Sequence, residues 1–159
     1  MTRRVKIAFG VLIVWFSGLA AWGGHMAIVR HLYDSGTEAI AAKDFDTAKQ
    51  RLTWAANFGD RFAMRILATH HLRGSFGRID FNAAEKWLLQ CSVTPDPDCQ
   101  EVLGLLYWTG SPNRQPDFLA AENWLAKAAA AGRQDAQRWL PAVRSKQPVQ
   151  SIFAGAPSY

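Results

Sequence analysis

Three copies of one short pattern constrain this chain more than any other feature. Asp-Phe pairs begin at Asp44, Asp80 and Asp117, at intervals of 36 and 37 residues. Each pair is followed in the same phase by an alanine (Ala48, Ala84, Ala121) and a leucine (Leu52, Leu88, Leu125). A second pattern, "AMRILATHHLRG" from Ala63 to Gly74, returns 36 residues later as "CQEVLGLLYWTG" from Cys99 to Gly110, and a third copy starts at Ala136 and is cut short at Leu140. A period of this length with helical spacing inside it predicts stacked helical hairpins. Each aspartate stands where an N-cap belongs, its carboxylate placed to accept from the free N–H groups of a first turn. Gly74 and Gly110 are expected to end the first helix of each pair. Ala48, Ala68, Ala84, Gly104 and Ala121 let two helices approach closely, and Trp54, Trp87, Trp124 and Trp139 are expected in the hairpin cores. One such hairpin cannot bury its apolar face alone, so neighbours must stack into a solenoid, with a helix over 134–144 capping the open end.

The segment "CQEVLGLLYWTGSPNRQPDFLAAENWLAKAAAAGRQDAQRWL" resembles the Sel-1-like repeat, a relative of the tetratricopeptide repeat with a longer loop between its two helices. The match rests on Leu103, Gly104, Leu106, Tyr107, Gly110, Asp117, Ala121, Trp124, Ala128, Ala129 and Gly132. The preceding repeat matches at Leu67, Ala68, Gly74, Asp80, Ala84 and Trp87, with His71 where the family usually has tyrosine. Tyr33 to Asp60 is more similar to an ordinary tetratricopeptide unit, with Gly36, Ala39, Ala48, Leu52 and Ala55 in phase and a short turn at Lys43. The resemblance covers residues 31–144. It implies an all-α fold, a right-handed α–α superhelix, and work as an adaptor or scaffold without an active site.

Ahead of the repeats, "MTRRVK" leads into Ile7–Val29, which contains no charged residue. Twenty-three residues at helical rise span a bilayer core of about 30 Å. Basic residues before the segment predict a cytoplasmic N-terminus (1–6), one transmembrane helix (7–29) and everything beyond Arg30 outside the cytosol. A cleaved signal peptide is the rival, since "IAFGVLIVWF" followed by Gly18 and Ala20 also suits an apolar core with a cleavage site. This arrangement absorbs the formal charge of +5: without Arg3, Arg4, Lys6 and Arg30, 14 basic residues face 13 acidic ones. No basic block interleaved with aromatics follows, which argues against nucleic acid as partner.

Both cysteines lie in "CSVTPDPDC", Cys91 to Cys99. In the repeat register Cys91 corresponds to Ala128, near the end of a second helix, and Cys99 to Ala63 and Ala136, at the start of a first helix. The C-x7-C spacing resembles the disulfide-bearing secreted branch of the Sel-1-like family, and that resemblance, with a location outside the cytosol, implies a Cys91–Cys99 bond. It would clasp a turn that lacks the glycine found at Gly132. The alternative is two reduced cysteines acting as small apolar residues.

Catalysis is not expected. The sequence holds no nucleophile-elbow, phosphate-loop, dinucleotide-binding or zinc-helix motif. Of the four histidines, His25 and His31 flank the end of the apolar segment, while His70 and His71 are adjacent and point about 100° apart on a helix. No metal, cofactor or small-molecule substrate is implied. Solenoids bind along their first helices, and Arg65, Thr69, Leu72 and Arg73 in one repeat, with Gln100, Leu105 and Trp108 in the next, are the expected partner-binding residues. Met64 and Thr109 occupy corresponding places in this set. Leu105 and Trp108 share a helical face and suit an apolar anchor; equally, Trp108 can pack under the loop "GSPNRQP". Residues 145–159 are expected to form a flexible tail.

These features predict a single-pass protein of a bacterial inner membrane with a periplasmic solenoid. Its expected work is noncatalytic protein–protein interaction that assembles or stabilises an envelope complex. The alternatives are a secreted soluble repeat protein, and a small accessory subunit that contacts a membrane machine mainly through its membrane helix.

Overall fold

The computed structural model describes residues 24–93, 95–111 and 114–148. Among these are seven α-helices and no strand beyond an isolated bridge between Ser111 and Arg114. Helix α1 covers residues 24–41. It is followed by α2 (Phe45–Asn57), α3 (Arg61–Arg73), α4 (Phe81–Cys91), α5 (Pro97–Thr109), α6 (Phe118–Ala130) and α7 (Gln134–Arg144).

The expected caps are in place. Asp44, Asp80 and Asp117 accept hydrogen bonds from the N–H groups of Thr47, Ala83 and Ala120, at 3.1, 2.9 and 2.9 Å, and so begin α2, α4 and α6. Helix α5 starts earlier than its cysteine suggests: Asp96 accepts from the N–H groups of Asp98 and Cys99, and Pro97 occupies the first turn, where no N–H is needed.

Several helices end in the same left-handed turn. At Gly59, Gly74 and Gly132 φ is between 72 and 94°, and paired backbone bonds close the last turn, as in Arg133 N–H to Ala128 O with Gly132 N–H to Ala129 O. Lys43 makes the same turn after α1 at φ 60° without being a glycine. Three residues, 42–44, connect α1 to α2, whereas 74–80 and 110–117 connect the later pairs. The short turn expected at Lys43 is therefore present, and the two later hairpins have the longer loops.

The described residues divide into two compact units, one ending at Asp60 and the other beginning at Arg61. In the first, Val29, Leu32 and Ala39 of α1 and Ala48, Leu52, Ala55 and Ala56 of α2 are buried. In the second, α3 packs on α4, α4 on α5, α5 on α6 and α6 on α7. Small residues mark the close approaches, since Ala63, Ala68, Ala84, Ala121, Ala128 and Ala136 have no exposed surface. Trp87 and Trp139 are buried as expected, but Trp54 is 49% exposed, because Leu52, Ala55 and Ala56 take the inner face of α2.

No helix among the described residues is long and apolar enough to cross a membrane. The expected membrane segment, 7–29, lies outside the described residues as far as residue 23; residues 24–29 belong to α1, and Val29 is 6% exposed. Of the expected tail, residues 145–148 are described: Gln147 donates its N–H to Ala142 O and Lys146 adopts φ 55°.

Candidate interaction surface

In the second unit the first helices α3 and α5 run in register. On one face of α3 lie Phe62, Arg65, Thr69 and Arg73; the corresponding residues of α5 are Asp98, Glu101, Leu105 and Thr109. Phe62 is 46% exposed, and the guanidinium carbons of Arg61 and Arg65 lie 5.4 and 5.9 Å from its ring centre. Thr69 turns its hydroxyl back to Arg65 O at 3.0 Å, and Thr109 does the same to Leu105 O at 2.9 Å. Arg73 and Thr109 are exposed; Arg65, Leu72 and Leu105 are half-buried.

Three of the expected surface residues are interior: Trp108, Gln100 and Met64, the last 4% exposed. Trp108 is 1% exposed: its ring stands 6.5 Å from that of Trp139, and its indole N–H donates to Gln147 O at 2.8 Å. It belongs to a cluster with Ala121, Leu125, Ala128, Ala136 and Val143, so it secures α7 and is no anchor for a partner. Gln100, 7% exposed, lies next to the buried Cys99 in the first turn of α5, and its N–H donates to Asp96 O.

Ion pairs join the N-terminal ends of the first helices. Arg65 pairs with Asp98 at 3.1 Å, Asp98 with Arg133 at 2.7 Å, and Arg133 with Glu101 at 2.8 Å. Glu101 is 7% exposed, and its two oxygens take both faces of the Arg133 fork, at 2.9 and 2.8 Å. The hydrogen bond that Arg133 donates to Glu101, foremost, raises the Arg133 pKa. This chain of charges was not visible in the sequence, because its partners come from α3, α5 and the turn before α7.

A second network holds the long loop after α5. The Tyr107 hydroxyl donates to Glu85 Oε1 at 2.6 Å, and Arg114 Nη1 reaches both oxygens of Glu85 at 3.1 and 3.0 Å while its guanidinium carbon sits 5.2 Å from the tyrosine ring centre. Burial, then the Glu85 hydrogen bond, pushes the Tyr107 phenol up to about 12. At the corresponding place in α3, His71 is 7% exposed and meets Phe76 edge-on at 5.2 Å; His70 stacks on the same ring at 5.4 Å. Burial and the nearby Arg73 lower the His70 pKa.

Cys91 and Cys99 form a disulfide with Cα atoms 6.1 Å apart. Asp96 lies within 4.8 Å of both sulfurs. The sulfurs are bonded to each other, and the carboxylate caps α5 and pairs with Arg61 at 3.4 Å, so this trio offers no thiolate to a metal.

In the first unit, Ile28, Leu32, Trp54, Asn57 and Phe58 line an open apolar groove of about 440 Å³. His25 meets Phe58 edge-on at 5.3 Å. Met26, Ile28 and Phe58 are each just over half exposed. Sequence reasoning missed this groove, having placed residues up to 29 in a membrane segment and Trp54 in the core.

No protein-family model matches the chain, and neither does any curated protein. Among solved structures, the crystal structure of a Sel1 repeat protein from Oxalobacter formigenes is similar: it is 22% identical, with a TM-score of 0.62, and the match covers 79% of this chain and 97% of that one. At that identity the likeness shows the fold alone.

Proposed function

We propose that this chain, which has the fold of a Sel1 repeat protein, is a noncatalytic protein-interaction scaffold held at the outer face of a bacterial inner membrane. The Cys91–Cys99 disulfide in the joint between two hairpins carries this reading, because such bonds persist in oxidising compartments and are rare in the cytosol. The basic start followed by the uncharged stretch 7–29 supports the same orientation, with the repeats in the periplasm. The partner lies on the face of α3 and α5 formed by Phe62, Arg65, Thr69, Arg73, Leu105 and Thr109, where repeat folds offer extended surfaces. An exposed aromatic ring at one end of this face and the half-buried Leu105 farther along it suit a protein segment of an envelope complex that brings apolar side chains.

The test is affinity purification from detergent-solubilised membranes with two variants. Phe62→Glu with Thr109→Arg is expected to lose the co-purifying partner while stability stays within about 0.5 kcal/mol, as for exposed positions. Replacing residues 7–23 by an unrelated membrane anchor is expected to keep it. The opposite pattern assigns the contact to the membrane segment and makes the protein an accessory subunit. N-terminal sequencing of the mature chain distinguishes the anchored form from a secreted one.

A further inference from the structure

The groove of the first unit has a position that identifies its occupant. Seventeen residues, Ile7–Gly23, contain no charge and lead directly into α1 at residue 24. Met26, Ile28 and Leu32 then follow at about 3, 6 and 12 Å along the helix axis. The end of α2 lies beside this end of α1, as the His25–Phe58 contact shows, so Trp54, Asn57 and Phe58 flank the same point. A charge-free stretch long enough to cross most of a bilayer therefore delivers the chain beside an exposed apolar surface.

The order of residues along this end of the unit also matches the depth profile of a membrane surface. Met26, Ile28 and Phe58 come first, and Trp54 lies one turn farther along α2. Arg51 follows another turn back on the same face. Between the hydrocarbon edge and water lies a headgroup layer of about 5–8 Å, given a core near 30 Å and a total near 40–45 Å. Aromatic rings favour that layer, and arginine favours its outer side, where its stem lies along apolar surface and its charge reaches phosphate groups and water.

We infer that this groove is a membrane-docking face: Met26, Ile28, Trp54 and Phe58 seat in the interfacial layer of the bilayer, with Arg51 toward the headgroups. The inference rests on the anchor reading above. Docking holds the first hairpin against the lipid and exchanges an exposed apolar surface for a buried one.

The experiment uses the full chain, disulfide intact, in vesicles of phosphatidylcholine and phosphatidylglycerol. A bimane label is placed either at Asn57→Cys, in the groove, or at Asp46→Cys, about 17 Å away along α2. Phosphatidylcholine brominated high on its acyl chains is the quencher, and alkaline carbonate extraction reports the anchor. The expected result is quenching at position 57, none at position 46, and both proteins retained by the vesicles. Adding Trp54→Ser and Phe58→Ser is expected to abolish the quenching and leave retention unchanged. Retained protein whose label at 57 is unquenched overturns the docking and leaves the anchor standing; a blue-shifted emission in that case assigns the groove to a second copy or to another part of the chain. Extraction of the whole protein by carbonate overturns the anchor reading and the docking with it.

Discussion

Gly104 shows how little room these hairpins leave. A methyl group there would sit 2.6 Å from Cγ of Leu125, a fully buried side chain of α6, and Gly36 stands in the same relation to Leu52 at 2.7 Å. An alanine inside a helix ordinarily stabilises by about 0.8–1 kcal/mol over glycine. Overpacking a well-filled contact costs about 1–3 kcal/mol. Gly104→Ala is therefore expected to lower stability, and the sign, read from the urea midpoint, is the check: a rise would show that α5 and α6 have space to spare. Ala68 holds the corresponding place in α3, buried and opposite α4, so the close approach is set repeat by repeat.

Tyr107 gives a pH dependence at the same scale. Its phenol titrates near 10 in the unfolded chain and at about 12 in the folded one, because burial and Glu85 both disfavour the phenolate. Folding keeps the proton, so this contribution is fully present below pH 10 and is lost as pH rises toward 12. Stability measured across that range is expected to fall more steeply for the natural protein than for Tyr107→Phe. Parallel curves would show that the phenol is not held.

The caps at Asp44, Asp80 and Asp117 were legible because an N-cap acts within four residues of itself. The burial of Trp108 was legible only as one of two readings, and its cover was not. Its partner Gln147 lies beyond the last repeat, where no periodicity points, and a position's phase on a helix gives its face without saying what covers that face.

At the scale of the element, the joint between α4 and α5 is the informative one. Between α6 and α7 the turn is made by Gly132 at φ 94° and framed by Ala128 and Ala136, both fully buried. Between α4 and α5 the cysteines take those two places, and five residues, 92–96, replace the three-residue turn. Two buried alanines are thus a tested substitute in this fold. Cys91→Ala with Cys99→Ala is expected to fold with unchanged helix content and to lose about 2–3 kcal/mol, the chain-entropy value for a loop this short. Circular dichroism and chemical denaturation read the two quantities; lost helix content would mean that the bond sets the path of the chain. The sequence held the signal for the true start of α5, since Asp96-Pro97 is a cap followed by a residue suited to a first turn. The cysteine register drew attention two residues too far along.

For the whole molecule, the repeat period read from three aspartates predicted the hairpins and the last helix, Gln134–Arg144. Cross-repeat side-chain pairing stayed hidden, because the arginines of α3 and the turn before α7 meet the acids of α5 only after folding. Helix α7 closes the second unit by covering Trp108, Leu125 and Ala128. A chain ending after Gly132 is expected to expose that cluster, to bind a hydrophobic dye such as ANS, and to melt at lower temperature, as repeat arrays do without a cap. An unchanged melting temperature would mean that α5 and α6 are stable with that face open.

The disulfide also bears on the order of events during folding. Two cysteines eight positions apart are the only ones in the chain, so a single intramolecular pairing exists and there is nothing to reshuffle. Loops of about ten residues close in 10–100 ns. The two thiols therefore meet through a short local loop, without contacts from elsewhere in the chain. Helices relax in about 0.1–1 μs and disulfides form in seconds to hours, so the helices on either side form first and the bond then ties the joint between them.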